Sequence, residues 1–179
     1  LEDTRMACEK VLQDKNALVT GGGTGIGKGC AATLADAGAR VTICGPEVDV
    51  LEAAAEELRQ ESPERQIATV YCDVTEDARV AEAVEAAANG GALDIAVANA
   101  GTGFPGSLLH LEKDHWMIPV GINLLGTAFT IKHAALNMKQ HGGGSIITMS
   151  SIASERQTKY MAAYGVSKAA VDELTRTAA

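Results

Sequence analysis

The sequence predicts an α/β chain: a doubly wound parallel sheet covered by helices on both faces, in one domain over residues 1–179. Three observations carry that prediction. Short apolar runs alternate with longer amphipathic ones along the whole chain, the short runs are continuously apolar, and a glycine-rich turn joins the first apolar run to the first helical one. Strands separated by helices imply right-handed crossovers, and strands apolar on both sides imply a sheet buried on both faces.

Taken in order, Ala17–Thr20 reads as the first strand and residues 26–37 as the first helix. Val41–Cys44 is a second strand, followed by a helix rich in Ala, Glu and Leu over residues 50–60. Residues 67–72 form a third strand and 76–88 a third helix, while residues 93–98 form a fourth strand and 145–149 a fifth. Between the last two, residues 123–140 read as helical, as does everything from Lys159 onward. Pro119 removes a backbone donor and crowds the preceding turn, so the helix is expected to begin or kink there.

Composition excludes several functions. A chain of 179 residues with 46% hydrophobic residues supports one well-buried domain. Only 3% is aromatic and 19 residues are glycine, which suits close packing of helices on a sheet. The net charge of −8, without an offsetting Lys/Arg cluster, argues against nucleic acid or an anionic membrane as partner. No apolar run reaches the length of a membrane span and the start, Leu1 to Arg5, is not a signal peptide, so a cytoplasmic protein is expected. Cys8, Cys30, Cys44 and Cys72 form no Cys-x-x-Cys pair, and Cys44 and Cys72 sit in apolar runs as small hydrophobes. His110, His115, His133 and His141 lack metal-binding periodicity, so no metal is expected and these histidines read as surface or loop residues.

Thr20-Gly-Gly-Gly-Thr-Gly-Ile-Gly27 follows the first strand and opens the first helix. In that context glycines permit a tight turn and a close backbone approach to a pyrophosphate, which the helix N-terminus attracts. Near the other end, Tyr164 and Lys168 lie four apart on one helix face. A lysine charge beside a phenol favours phenolate, and a phenol so tuned exchanges a proton with an alcohol or carbonyl. Alone, that spacing also fits a solvated helix face.

Together these signals resemble the short-chain dehydrogenase/reductases, of the ordinary type with Thr-Gly-x-x-x-Gly-x-Gly and Tyr-x-x-x-Lys motifs. The resemblance rests on Thr20–Gly27, Asp73-Val74, Asn99-Ala100-Gly101, Asn123, Ser151 and Tyr164 with Lys168, in the family's order. It implies a Rossmann-like fold and an NAD(P)-dependent oxidoreductase, of the class acting on secondary alcohols and ketones. Gly21, Thr24, Gly25, Ile26 and Gly27 would then hold the cofactor pyrophosphate, Asp73 and Val74 the adenine, and Asn99, Ala100 and Gly101 would flank the cofactor or brace the sheet. Tyr164 would be the general acid or base and Ser151 would hydrogen-bond the substrate oxygen. Lys168 would serve the tyrosine and the nicotinamide ribose, and Asn123 would interrupt its helix to hold a relay water. Ser150 and Tyr160 compete for these roles, but only Ser151 and Tyr164 satisfy both the thirteen-residue interval and the lysine four residues on.

The end of the second strand carries Gly45 and Pro46, neither the acid that favours NAD nor the Arg that favours NADP. The missing acid leans toward NADP, with Lys28 as a candidate phosphate partner. The family continues past the helix bearing Tyr164, so the resemblance implies that a last sheet layer and the C-terminal substrate loop lie outside this sequence. Candidate substrate-lining segments are residues 102–109 and 152–161, which name no substrate. A homodimer or homotetramer through the helices from Asn123 and Lys159 is also implied. The alternative function is a sensor or scaffold that binds NAD(P) without turnover.

Overall fold

The computed structural model describes residues 10–156 and 158–179, which leaves Cys8 and the N-terminal five residues read above outside the described part. Five parallel strands form one sheet in the order β3-β2-β1-β4-β5: β1 Asn16–Thr20, β2 Arg40–Gly45, β3 Gln66–Tyr71, β4 Ile95–Ala98 and β5 Ser145–Thr148. The helices are α1 Gly25–Asp36, α2 Val48–Glu61, α3 Asp77–Ala88, α4 Lys113–Pro119, α5 Gly126–Gln140 and α6 Ala162–Ala178. The doubly wound sheet read from the sequence is therefore observed.

Alternation of side chains assigns each strand residue to one of two cores. Ala17, Val19, Val41 and Ile43 face α1 and α2, where Ala31, Ala35, Ala54 and Ala55 bring the helices close. Leu18, Cys44, Cys72 and Ala96 face α3 and α5, against Ala83, Ala87, Ala134 and Met138. Each fully buried Leu, Ile or Val contributes about 1.5–3 kcal/mol by area removed from water. The three described cysteines are free, and Cys44 and Cys72 are buried as expected.

Two helix starts differ from the sequence reading by three residues or more. The helix expected from Asn123 begins at Lys113 and runs through Pro119 into a π-helical segment, Val120–Leu125, before α5. Proline cannot donate to the carbonyl four residues back, and the wider π turn takes up the register directly after it. The helix expected from Lys159 begins at Ala162, because Met161 is held by a parallel bridge to Gly106. Two histidines read as surface or loop residues lie on helices: the His115 ring tilts against Phe104, and the mostly buried His133 bonds Asp77 at 2.9 Å.

Asp94 staples β4 to β1. Its carboxylate accepts from Lys15 Nζ at 2.8 Å and from the Asn16 N–H at 2.9 Å. Burial acts to raise its pKa, but the Lys15 and Asn16 donors outweigh burial and leave it lowered. A depressed carboxyl stabilises the fold above its unfolded pKa and loses that contribution as pH falls through the folded value. Asp94→Asn is accordingly expected to cost about 1–3 kcal/mol at pH 7, with the gap from wild type closing below about pH 4. Urea melts at the two pH values test this; a gap constant with pH contradicts it.

Candidate active site

The strand order reverses between β1 and β4, which leave the sheet on either side of a crevice. The turn after β1 is anchored from both sides. The Gly21 N–H donates to the Cys44 carbonyl at 2.7 Å, and Gly21 takes a left-handed φ of +64°. Thr20 Oγ1 accepts from the N–H groups of Asn99 and Ala100, both at 3.0 Å. Asn99 Nδ2 donates back to the carbonyls of Thr20 and Gly21. Asn99 and Ala100 thus brace the glycine turn.

Glycine is required here for two different reasons. A Cβ on Gly27 would lie 2.2 Å from the Gly21 carbonyl oxygen, so only glycine lets α1 start this close to the turn. A Cβ on Gly25 would meet nothing within 4 Å, because the turn opens there onto a cleft of about 390 Å³. The first turn of α1 holds no acidic residue, and Thr24 makes no side-chain cap, so its N–H groups face the opening without an internal partner from Thr24.

That cleft collects most of the residues singled out from the sequence. Gly21, Thr24, Gly25, Ile26, Gly27, Asn99, Ala100, Gly101, Tyr164 and Lys168 all line it. Thr102, Gly103, Met149 and Ser150 line it as well. Tyr164 stands in the first turn of α6, and Lys168 Nζ lies 5.9 Å from its ring centroid. Lys168 is only 4% exposed and donates to the Met149 carbonyl at 2.6 Å. Burial pushes its pKa below the usual lysine value, while the negative charge of Asp172 opposes that shift.

Asn123 is fully buried in the π segment, as an interruption of its helix would place it. Its side chain accepts from the Thr102 N–H at 2.7 Å and donates to the Thr102 carbonyl at 2.9 Å and Ser167 Oγ at 2.8 Å. Its own carbonyl accepts from Thr127 Oγ1. A Cβ on Gly101 would meet Asn123 Oδ1 at 3.2 Å and Lys168 Nζ at 3.3 Å, so the three groups converge. Ser167 has no signal of its own in the sequence, since its contact with Asn123 crosses between distant segments.

Besides Asn123, three predicted residues stand off the cleft lining. Ser151 is half-buried where β5 leaves the sheet, and its hydroxyl accepts from the Ala153 N–H at 3.2 Å. Asp73 accepts from the N–H and the hydroxyl of Thr75 at 2.9 and 2.8 Å, an Asx turn before α3. Val74 is buried against Gly126, where a Cβ would clash with it at 2.7 Å. Of the candidate substrate segments, Gly106, Leu108, Ala153, Arg156 and Met161 line a second hollow of about 370 Å³ at the start of α6. Gln157 of that segment lies outside the described residues.

Comparison with known proteins decides the family. Residues 15–179 match the model of the short chain dehydrogenases. The chain belongs to that family. It is 35% identical over 167 residues to an uncharacterised oxidoreductase of Staphylococcus aureus, covering 93% of this chain and 71% of that protein. A short chain dehydrogenase/reductase of Aspergillus oryzae is 38% identical over 94% of this chain and 65% of its own length. Among solved structures, a short-chain type dehydrogenase/reductase from Mycobacterium ulcerans superposes with a TM-score of 0.88 at 40% identity, covering 93% of this chain and 62% of that one. A family member from Burkholderia phymatum, solved in complex with NAD, gives 0.86 at 27% identity, over 93% of this chain and 59% of that one. The chain thus spans about three fifths to seven tenths of the length of these relatives.

Proposed function

We propose that this chain forms the cofactor-binding and reacting part of an NAD(P)-dependent oxidoreductase that interconverts a ketone and a secondary alcohol. The observation that carries the reading is that Tyr164 and Lys168 open onto the same cleft as the Gly21–Gly27 turn. The cleft fits a dinucleotide: its backbone opens at Gly25, and its helix N-terminus offers donors to a pyrophosphate. A bound nicotinamide supplies or accepts the hydride.

Each residue then has a task. Tyr164 gives its proton to the carbonyl oxygen in reduction and takes it back in oxidation. Lys168 holds positive charge beside the phenol and contacts the nicotinamide ribose. Ser151 donates to the substrate oxygen as negative charge grows on it, which requires its hydroxyl to turn from Ala153 toward the cleft. Asn123 fixes the strand-β4 loop against α6 and keeps the surroundings of Lys168 in place for a relay water. Asp73 and Val74 border the adenine end through the start of α3. No observation favours the sensor or scaffold alternative. Self-association through α5 and α6 fits their exposed Leu136 and Val166.

For the cofactor, the lean toward NADP loses its support. Lys28 is ion-paired with Glu57, and the recess beyond the glycine turn is lined by Gly45, Pro46 and Glu47 with no lysine or arginine. A carboxylate beside a ribose accepts from its hydroxyls and repels a phosphate. In the full chain NADH is expected to bind at least about tenfold tighter than NADPH, with Glu47→Gln narrowing the ratio. Fluorescence titration with both cofactors checks this, and tighter NADPH binding contradicts it.

A further inference from the structure

The hollow at the start of α6 adjoins the cleft without belonging to it. Met161 is the wall between them: it lines the hollow, and a Cβ on Gly103 in the cleft would meet its Cε at 3.0 Å and the Tyr164 ring at 3.3 Å. Gly165 lines the hollow, and Tyr164, the residue before it, lines the cleft. Ala153, whose N–H binds Ser151 Oγ, lines the hollow as well. Both groups given to the reacting oxygen in the reading above therefore border it.

The charge around this hollow runs against that of the chain. The net charge is −8, and most lysines and arginines elsewhere in the described residues are ion-paired. Arg156 and Lys159 both line the hollow, and among the described residues neither belongs to an ion pair. No acidic residue lines it; Glu155, next to Arg156 in the chain, is exposed and outside the lining. The remaining surface is partly apolar, with Leu108 and Met161 beside the two cations.

The segment carrying these cations is held in one shape. Thr158 Oγ1 donates to the Arg156 carbonyl at 3.4 Å, and the Met161 N–H donates to the Thr158 carbonyl at 3.2 Å. Tyr160 takes a left-handed φ of +63°, which a bulky side chain adopts only at a cost, and its carbonyl accepts from the Gly106 N–H at 2.7 Å. A backbone so strained persists where its surroundings over-determine it, and such positions collect at ligand clamps. Two like charges beside one hollow repel, and an anion between them turns that repulsion into attraction. An arginine fork matches a carboxylate or phosphate with parallel N–H donors, and a lysine adds a point charge.

We propose that this hollow is a subsite for an anionic end of the substrate: the ketone that reacts at Tyr164 carries a carboxylate or phosphate on a short apolar spacer, and Arg156 and Lys159 hold that group. Naming the substrate in this way rests on the oxidoreductase reading above; the anion site does not.

The test uses the full chain, NADH and straight-chain methyl ketones ending in a carboxylate, a phosphate, or the neutral methyl ester of the same length. The anionic ketones are expected to show kcat/KM at least about tenfold above the esters, carried mainly by KM. Arg156→Gln and Lys159→Gln are each expected to lower that ratio about threefold or more, and added salt to lower it further. Lys139→Gln removes one positive charge from α5, outside the hollow, and is expected to keep the ratio. A readout independent of turnover is the ¹³C-methyl signal of Met161, assigned by Met161→Leu and titrated with the keto acid and with its ester. The keto acid is expected to shift that signal, and Arg156→Gln to require several-fold more of it. Equal kcat/KM for anionic and neutral ketones, or a ratio that survives in both variants, overturns the proposal. So does a Met161 signal that the keto acid leaves unmoved. A shift that weakens in Arg156→Gln, in a protein that transfers hydride to no ketone, supports the anion site and overturns the oxidoreductase reading instead.

Discussion

Tyr164→Phe is expected to lower hydride transfer by about 10²–10⁴-fold while leaving cofactor affinity within about twofold. The substitution removes one oxygen and keeps the ring. That ring lies close to Gly103, where a Cβ would come within 3.3 Å of it, and beside Lys168, so α6 is not asked to repack. The turn after β1 and the start of α1 lie on the far side of the cleft and are untouched. Stopped-flow absorbance at the nicotinamide band measures the transfer, and fluorescence titration measures the binding. A variant that turns over at the wild-type rate assigns the proton to another group, and one that loses binding as well makes Tyr164 a cofactor contact first.

Gly27→Ala should abolish dinucleotide binding, weakening it by at least about 100-fold, and cost about 1–3 kcal/mol of stability. Its Cβ would stand 2.2 Å from the Gly21 carbonyl oxygen and 2.5 Å from Asn99 Nδ2. Neither is the free end of a long side chain: the first is backbone, and the second already donates to the Thr20 and Gly21 carbonyls. Relief therefore requires α1 to move off the turn. Two neighbouring glycines serve as contrasts. Gly25→Ala meets no atom within 4 Å but has a left-handed φ of +51°, so it is expected to cost about 1–2 kcal/mol and to place a methyl group in the mouth of the cleft. Gly29→Ala meets no atom and lies inside α1, where alanine is expected to stabilise by up to about 1 kcal/mol with binding unchanged. Thermal melts and NADH titrations of the three variants separate these outcomes; equal binding by Gly27→Ala and wild type removes the glycine turn from the site.

Much of this was legible because the signals are local. An apolar run, a block of glycines and an amphipathic run announce β1, the turn and α1 within twenty residues, and the observed Asn16–Thr20 and Gly25–Asp36 follow that order. Tyr164 and Lys168 were legible for the same reason, since four residues of helix put them together. The helix before Asn123 was not, because Pro119 argues locally for a break while a π turn absorbs its missing hydrogen bond. The contacts of Asn123 with Thr102 and Ser167 span 21 and 44 residues. The reach of Lys168 back to the Met149 carbonyl likewise crosses between the exit of β5 and α6. No periodicity in the chain encodes pairings of that kind; they follow from the sheet order, which brings the ends of β1, β4 and β5 side by side.

The central claim is that a nicotinamide bound in this cleft exchanges hydride with a carbonyl under the control of Tyr164. The most direct measurement is the oxidation of NADH and NADPH by the full chain, followed by absorbance against a panel of ketones, with Tyr164→Phe run in parallel. The predicted result is cofactor oxidation with at least one ketone in the wild type, reduced to background in the variant. Cofactor binding without oxidation of any ketone, or turnover that survives in Tyr164→Phe, would contradict it.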